Sequence, residues 1–167
     1  MTEKELYIHV VDWLSDYLTS HYKKAKIIVK DTHRISLSNF LTKIGMHNKF
    51  PEFSAYDIKV DVTGIIKYPQ KTYLVFVECK TKPIRLLDVG QLLGYSLVAK
   101  PILSFLISPN GVSEPLYKLL KVYGRYDILQ YDKELVLKIV TWDKEKKEPT
   151  WNSLIPSGEY LTNNAVL

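Results

Sequence analysis

Apolar residues recur at three- and four-residue intervals over residues 3 to about 22, where Leu6, Val10, Leu14 and Tyr17 share one face. That spacing predicts an amphipathic helix. Residues 26–30 (Lys-Ile-Ile-Val-Lys) predict a short strand, and 31–56 read as irregular, with a short helix over 38–44 that Gly45 ends. Two strands, 58–68 and 72–80, flank a turn containing Pro69 and Gln70. Residues 84–99 read as a long, largely apolar helix stopped by Pro101, followed by a buried strand over 102–107. Pro109-Asn110-Gly111 turns into a helix over about 113–123, with Ser113 as its N-cap and Gly124 as its end. Residues 127–131 and 135–142 predict a final pair of strands, 144–148 a charged turn, and the segment from Pro149 a polar tail. This order predicts an α/β domain with a central mixed sheet flanked by helices. One domain over 1–148, with an insertion at about 31–56 and a tail over 149–167, is the organisation expected.

Composition narrows the class. The 167 residues suit one domain, and 46% hydrophobic with 25% charged residues is globular rather than disordered composition. No apolar run is long enough to span a bilayer, so no membrane partner is expected. Met1-Thr2-Glu3-Lys4-Glu5 does not open like a signal peptide. The lone cysteine, Cys79, excludes an internal disulfide framework and a multi-cysteine metal site. A cytoplasmic protein is the expectation. The net charge of +5 leans toward a polyanionic partner, but the charges are spread along the chain and decide nothing alone.

The segment richest in chemistry runs from Lys59-Val60-Asp61 to Phe76-Val77-Glu78-Cys79-Lys80. The second strand is apolar at nearly every position, which marks burial on both faces, yet it ends on a carboxylate and an ammonium. Alternation puts Glu78 and Lys80 on one face, about 7 Å apart at the backbone, with Cys79 on the other. Charges in so apolar a strand are costly unless paired or metal-bound. With Pro69 and Gln70 as central turn residues, Asp61 falls opposite Glu78, their Cβ atoms roughly 5 Å apart. Two carboxylates so placed repel, and a divalent cation relieves them; hard oxygen ligands favour Mg²⁺ or Mn²⁺ over zinc. In the next helix, Asp88, Gln91 and Tyr95 form one polar stripe opposite Leu86, Val89, Leu93 and Leu97. That stripe is expected to face the site.

Asp61 followed by Glu78-x-Lys80 on adjacent strands, after an N-terminal helix, resembles the PD-(D/E)xK nuclease superfamily with its restriction-endonuclease-like core, of αβββαβ-type order. Gln91-Leu-Leu-Gly-Tyr95 resembles the Q-x-x-x-Y motif of the RecB-like branch, and Glu3-Lys4-Glu5-Leu6 matches its first-helix E-x-x-L at Glu3. Helical projection favours Glu3, on the face of Val10 and Leu14, over Glu5. The resemblance covers roughly residues 3–131; Val60 stands where the family often has proline, and the four cysteines of the iron–sulfur relatives are absent.

The resemblance implies Mg²⁺- or Mn²⁺-dependent phosphodiester hydrolysis on DNA by an endonuclease of restriction, repair or recombination type, working as a homodimer where both strands are cut. It assigns Asp61, Glu78 and the Cys79 carbonyl as metal ligands, with Glu3 completing the shell. Lys80 orients water and stabilises charge, and Gln91 and Tyr95 position Lys80 or a phosphate. Lys82 and Arg85, just past the strand, are the candidate DNA contacts. The competing reading is a non-catalytic nucleic-acid- or protein-binding module on the same fold.

Plainer readings hold elsewhere. Asp88 reads as a helix-start or surface acid, and the Cys79 side chain as a small core residue. His9, His21, His33 and His47 show no metal spacing, and His33, Arg34 and Lys43 read as a solvated loop.

Overall fold

The computed structural model describes residues 1–157. Helix α1 (Glu3–His21) starts in a capping box, in which the Thr2 hydroxyl accepts from the Glu5 amide and the Glu5 carboxylate accepts from the Thr2 amide. Its buried side chains, Leu6, Tyr7, Val10, Leu14 and Leu18, keep the periodicity visible in the sequence. Then follow β1 (Lys26–Asp31), α2 (Leu37–Lys43), two 3₁₀ turns at His47–Lys49 and Phe53–Ala55, β2 (Val62–Lys67) and β3 (Thr72–Cys79). Helix α3 (Leu86–Ala99), β4 (Leu103–Ser108) and the short α4 (Glu114–Tyr117) come next. The chain closes with β5 (Gln130–Asp132), β6 (Leu135–Val136), β7 (Lys138–Asp143) and β8 (Glu148–Ile155).

Six strands form one mixed sheet in the order β1-β2-β3-β4-β7-β8, so the protein is α/β with a central mixed sheet flanked by helices. The β1–β2, β2–β3 and β7–β8 pairs are antiparallel, and β3–β4 and β4–β7 are parallel. Parallel neighbours need a crossover, which α3 supplies between β3 and β4. Its last turn ends on Lys100, in the left-handed region at φ 50°, and Pro101 cannot continue it. Helix α1 covers one face of the sheet, packing on Val62, Val75, Val77, Phe105 and Trp142. Helices α2, α3 and α4 cover the other, over Ile65, Leu74, Phe76 and Leu106. Strand β3 lies third of six, and every residue from Leu74 to Cys79 is buried.

One glycine sets how closely α1 approaches. A Cβ on Gly64 of β2 would lie 3.1 Å from Leu18 Cδ1 and 3.1 Å from Val75 Cβ. The helix can sit on the sheet there only because that side chain is missing.

Residues 31–56 are irregular around the short α2, as the sequence reads, and Leu37, Phe40, Leu41, Met46, Phe50 and Tyr56 are buried in the core. Several expectations need correction. Residues 127–131 and 135–142 do not make one final hairpin. A 3₁₀ turn occupies Tyr126–Leu129, β5 and β6 form a separate two-stranded ribbon, and β7 leaves it to join the main sheet. Short runs of alternating apolar residues carry no signal for which sheet they enter. The helix read over 113–123 is α4 for one turn and then a π-helical turn, Lys118–Val122. The segment from Pro149, read as a tail, pairs with β7 as β8; the rest of that tail, 158–167, lies outside the described residues. No helix among the described residues is long and apolar enough to cross a membrane.

Candidate active site at the β2–β3 strand ends

The β2–β3 hairpin turns at Pro69 and Gln70, with Lys67 opposite Thr72 and the Tyr68 amide donating to the Lys71 carbonyl at 2.8 Å. The register then runs to Val62 opposite Val77, so Asp61, one residue before β2, falls beside Glu78 as the hairpin count predicts. Asp61 Oδ2 accepts from the Cys79 amide at 2.8 Å. Glu78 is only 5% exposed. Its Oε1 accepts from Lys80 Nζ at 3.1 Å, while Oε2 is buried without a hydrogen-bond partner. The Cys79 side chain points the other way, into the α1 side of the core.

Helix α1 and the chain after β1 close the site. The Tyr7 hydroxyl donates to Glu3 Oε2 at 3.4 Å; burial first, then the nearby Asp61 and Glu3 charges, hold the phenol well above its ordinary value. Glu5 is engaged in the capping box, and Glu3, exposed, is the first-turn acid that accepts from Tyr7. Thr32 clamps the backbone around Asp61. Its amide donates to the Asp61 carbonyl at 2.9 Å, and its hydroxyl donates to the Val60 carbonyl at 2.6 Å and pairs with the Thr63 hydroxyl at 2.8 Å.

Burial dominates the electrostatics. It pushes the Glu78 carboxyl up to about 7, and the nearby Asp61 charge adds to it against the opposing pull of Lys80. Burial raises Asp61 as well, over the opposing effects of the Cys79 amide and Lys80. For Lys80, burial alone would lower the ammonium, but Glu78, Asp88 and Asp61 outweigh it and hold it above its ordinary value. Burial, then Asp61 and Glu78, push the Cys79 thiol far up, which fits a core residue and no thiolate nucleophile.

Not every expected residue converges. The buried stripe of α3 is Val89, Leu92, Ser96 and Ala99; Leu86 and Leu97, expected in the core, are 55% and 50% exposed. The helix is turned so that Ser96 meets Ser104 of β4, hydroxyl to hydroxyl at 2.9 Å, an anchor that an apolar periodicity does not count. Gln91 is therefore exposed and donates to the Tyr95 hydroxyl at 3.5 Å, while Tyr95 packs partly against the core. Neither hydrogen-bonds Lys80 among the described residues. Asp88, read as a plain helix-start acid, takes both parts: its Oδ2 accepts from the Arg85 amide at 2.8 Å, and its Oδ1 lies 3.8 Å from Lys80 Nζ. Lys82 and Arg85 stand exposed in the loop that leaves Lys80, braced where the Ser108 hydroxyl donates to the Lys82 carbonyl.

Among the described residues no three His, Cys, Asp or Glu side chains form a metal-binding group; Asp61 and Glu78 stand as a pair, with Glu3 held off on Tyr7. The pair still fits a hard divalent cation. The buried, unpartnered Oε2 of Glu78 is an acceptor that the fold leaves unsatisfied, beside a second carboxylate of raised pKa. Sequence reasoning missed Tyr7 and Thr32. Tyr7 could have been found one helical turn after Glu3; a threonine in a loop gives no such signal. Compared with known proteins, the chain matches no family model, no curated protein and no solved structure.

Proposed function

We infer that the chain is a Mg²⁺- or Mn²⁺-dependent nuclease of PD-(D/E)xK type, with a restriction-endonuclease-like core, that hydrolyses phosphodiester bonds in DNA. One observation carries the reading: a buried carboxylate with a free oxygen, Glu78, set beside Asp61 and salt-bridged to Lys80 at the end of an apolar strand. A scaffold strand gains nothing from such groups, since each ionised carboxylate costs several kcal/mol to bury.

Asp61, Glu78 and the Cys79 carbonyl would hold the ion, with Glu3 reaching it through water. Bound there, the ion would acidify water and offset charge on the attacked phosphate. Lys80 keeps its proton, because three carboxylates hold it in the ammonium form. Its part is therefore to donate to the water or to the developing charge on the phosphate, and not to act as the base. Asp88 aims the Lys80 ammonium from the helix side, while Lys82 and Arg85 meet the flanking phosphates.

The test is incubation of plasmid DNA with Mg²⁺ or Mn²⁺ beside a Lys80→Ala control. Cleavage by the wild type alone supports the reading. DNA binding without cleavage in either protein favours the non-catalytic module.

A further inference from the structure

At the end of the sheet away from the carboxylate pair, lysines of adjacent strands are set against each other. Lys26 of β1 lies directly opposite Lys67 of β2, and Lys67 directly opposite Thr72 of β3. Residues paired in this way share a face. It is the face of Ile28, Ile65 and Leu74, each two residues further along its strand. Next to them the hairpin turn closes where the Tyr68 amide donates to the Lys71 carbonyl at 2.8 Å. A cavity of about 330 Å³ opens there, lined by Lys49 from the turn after α2 and by Tyr68, Lys71, Thr72 and Tyr73. No acidic side chain lines it.

Like charges directly opposite on neighbouring strands repel, so the Lys26–Lys67 pair weakens the fold. No acid occurs in residues 22–30 or 62–77 to relieve it. Among the described residues, none of Lys26, Lys49, Lys67 and Lys71 has an ion-pair partner. Asp31, at the far end of β1, is taken by His33. The unrelieved charge calls for an anion from outside, and lysines without an arginine suit backbone phosphates and not base edges. None of the large exposed apolar side chains belongs to residues 22–30, 49 or 67–73, so a lipid surface would find no apolar foothold here. Glu78 alternates with Leu74 and Phe76 and therefore lies on the same face as these lysines. Asp61, beside Glu78, precedes Lys67 by six residues, about 20 Å of extended chain. Lys30 on β1, opposite Thr63, faces the same way between the two ends. We propose that the lysine end of the β2–β3 hairpin is a second DNA contact, holding backbone phosphates roughly six nucleotides from the scissile one at about 3.4 Å per nucleotide. It rests on DNA being the substrate, as in the nuclease reading, and lies apart from Lys82 and Arg85, which follow Lys80 at the site itself.

Binding of a labelled 24-bp duplex to the full chain, followed by fluorescence anisotropy over a salt series with a chelator present, tests it. The triple variant Lys26→Gln/Lys67→Gln/Lys71→Gln is compared with wild type and with Lys133→Gln/Lys144→Gln/Lys146→Gln, which removes the same charge from turns elsewhere. Each lost phosphate contact lowers the log–log salt slope by about 0.9, so the hairpin triple should lose about 2–3 and the control nothing. Thermal melts should show the hairpin triple no less stable than wild type, because an opposed like-charge pair has gone. If it melts early, Lys26→Gln and Lys67→Gln alone carry the test, each expected to lower the slope by about 1. A wild-type slope in the hairpin variants, or an equal loss in the control, overturns the proposal. So does binding to phosphatidylserine vesicles that the hairpin triple abolishes while its DNA slope stays unchanged. Wild-type cleavage of plasmid with an unchanged slope in the hairpin triple sinks this inference alone. No DNA binding by the wild type sinks it together with the nuclease reading, whereas a lowered slope without any cleavage upholds the contact and sinks only the catalytic reading.

Discussion

Replacing Glu78 by glutamine in metal-free protein is expected to remove a pH dependence of stability that the wild type carries. The folded-state carboxyl is raised from 4.5 to about 7 by burial and by Asp61. Between those values the folded chain keeps a proton that the unfolded chain has released. Stability is therefore fully present below about pH 4.5, falls as pH rises, and levels off above about pH 7. At about 1.4 kcal/mol for each pH unit of that window, the loss is roughly 3 kcal/mol. Glutamine carries no such charge, and its amide oxygen can still accept from Lys80 Nζ as Glu78 Oε1 does at 3.1 Å. Lys80 also keeps Asp88 at 3.8 Å. The net expectation is a variant more stable than wild type by about 3 kcal/mol near pH 8 and by less than about 1 kcal/mol near pH 5. Asp61, also raised by burial, contributes in the same direction in both proteins. Urea midpoints at the two pH values, with a chelator present, measure it. A wild type whose stability does not fall from pH 5 to pH 8 relative to Glu78→Gln would refute the account of this carboxyl.

Asp88→Asn is expected to slow single-turnover cleavage about tenfold and Gln91→Ala less than about threefold, because only Asp88 reaches Lys80; the opposite ranking would return the Gln91 stripe to the site. Gly64→Ala should cost roughly 1–3 kcal/mol in urea unfolding, since its methyl group would press on Leu18 and Val75; an unchanged midpoint would mean that α1 shifts freely on the sheet. Metal-free DNA binding should weaken steeply with salt, and Lys82→Ala with Arg85→Ala should lower the log–log slope by about 1–2; an unchanged slope removes both from the interface.

Local patterns carried most of the fold. The apolar repeat of α1, the continuous apolar run of β3 and the two-residue turn at Pro69 and Gln70 each have one physical reading, and the register that pairs Asp61 with Glu78 follows from the turn. What failed was decided by partners distant in the chain. The rotation of α3 depends on Ser96 meeting Ser104, and the placement of β7 and β8 on a free sheet edge beside β4. The burial of 37–56 depends on the face that α2 covers. The candidate site divides in the same way. Asp61, Glu78 and Lys80 are legible because charges at the end of a buried strand stand out from it. Thr32 reaches the Asp61 backbone from the end of β1, which no spacing in the sequence encodes, whereas Tyr7 stands one helical turn after Glu3.

The charge balance around Lys80 argues for the ion that this arrangement would take. Three carboxylates, Asp61, Glu78 and Asp88, share one ammonium, so the fully ionised cluster keeps two negative charges. At roughly 5 Å and an effective dielectric constant near 20, each unpaired carboxylate repulsion costs about 3 kcal/mol. Without a cation the protein avoids that cost by leaving Glu78 protonated up to about pH 7. A monovalent ion would cancel only half of the excess. A divalent ion cancels all of it, and the oxygen it would meet first is the buried Glu78 Oε2, which has no other partner. Binding below about pH 7 must then displace the Glu78 proton, so affinity for Mn²⁺ rises with pH up to that point and levels off above it. On the nuclease reading, the excess charge would favour a divalent ion, and the burial of Glu78 would set the pH range in which it binds.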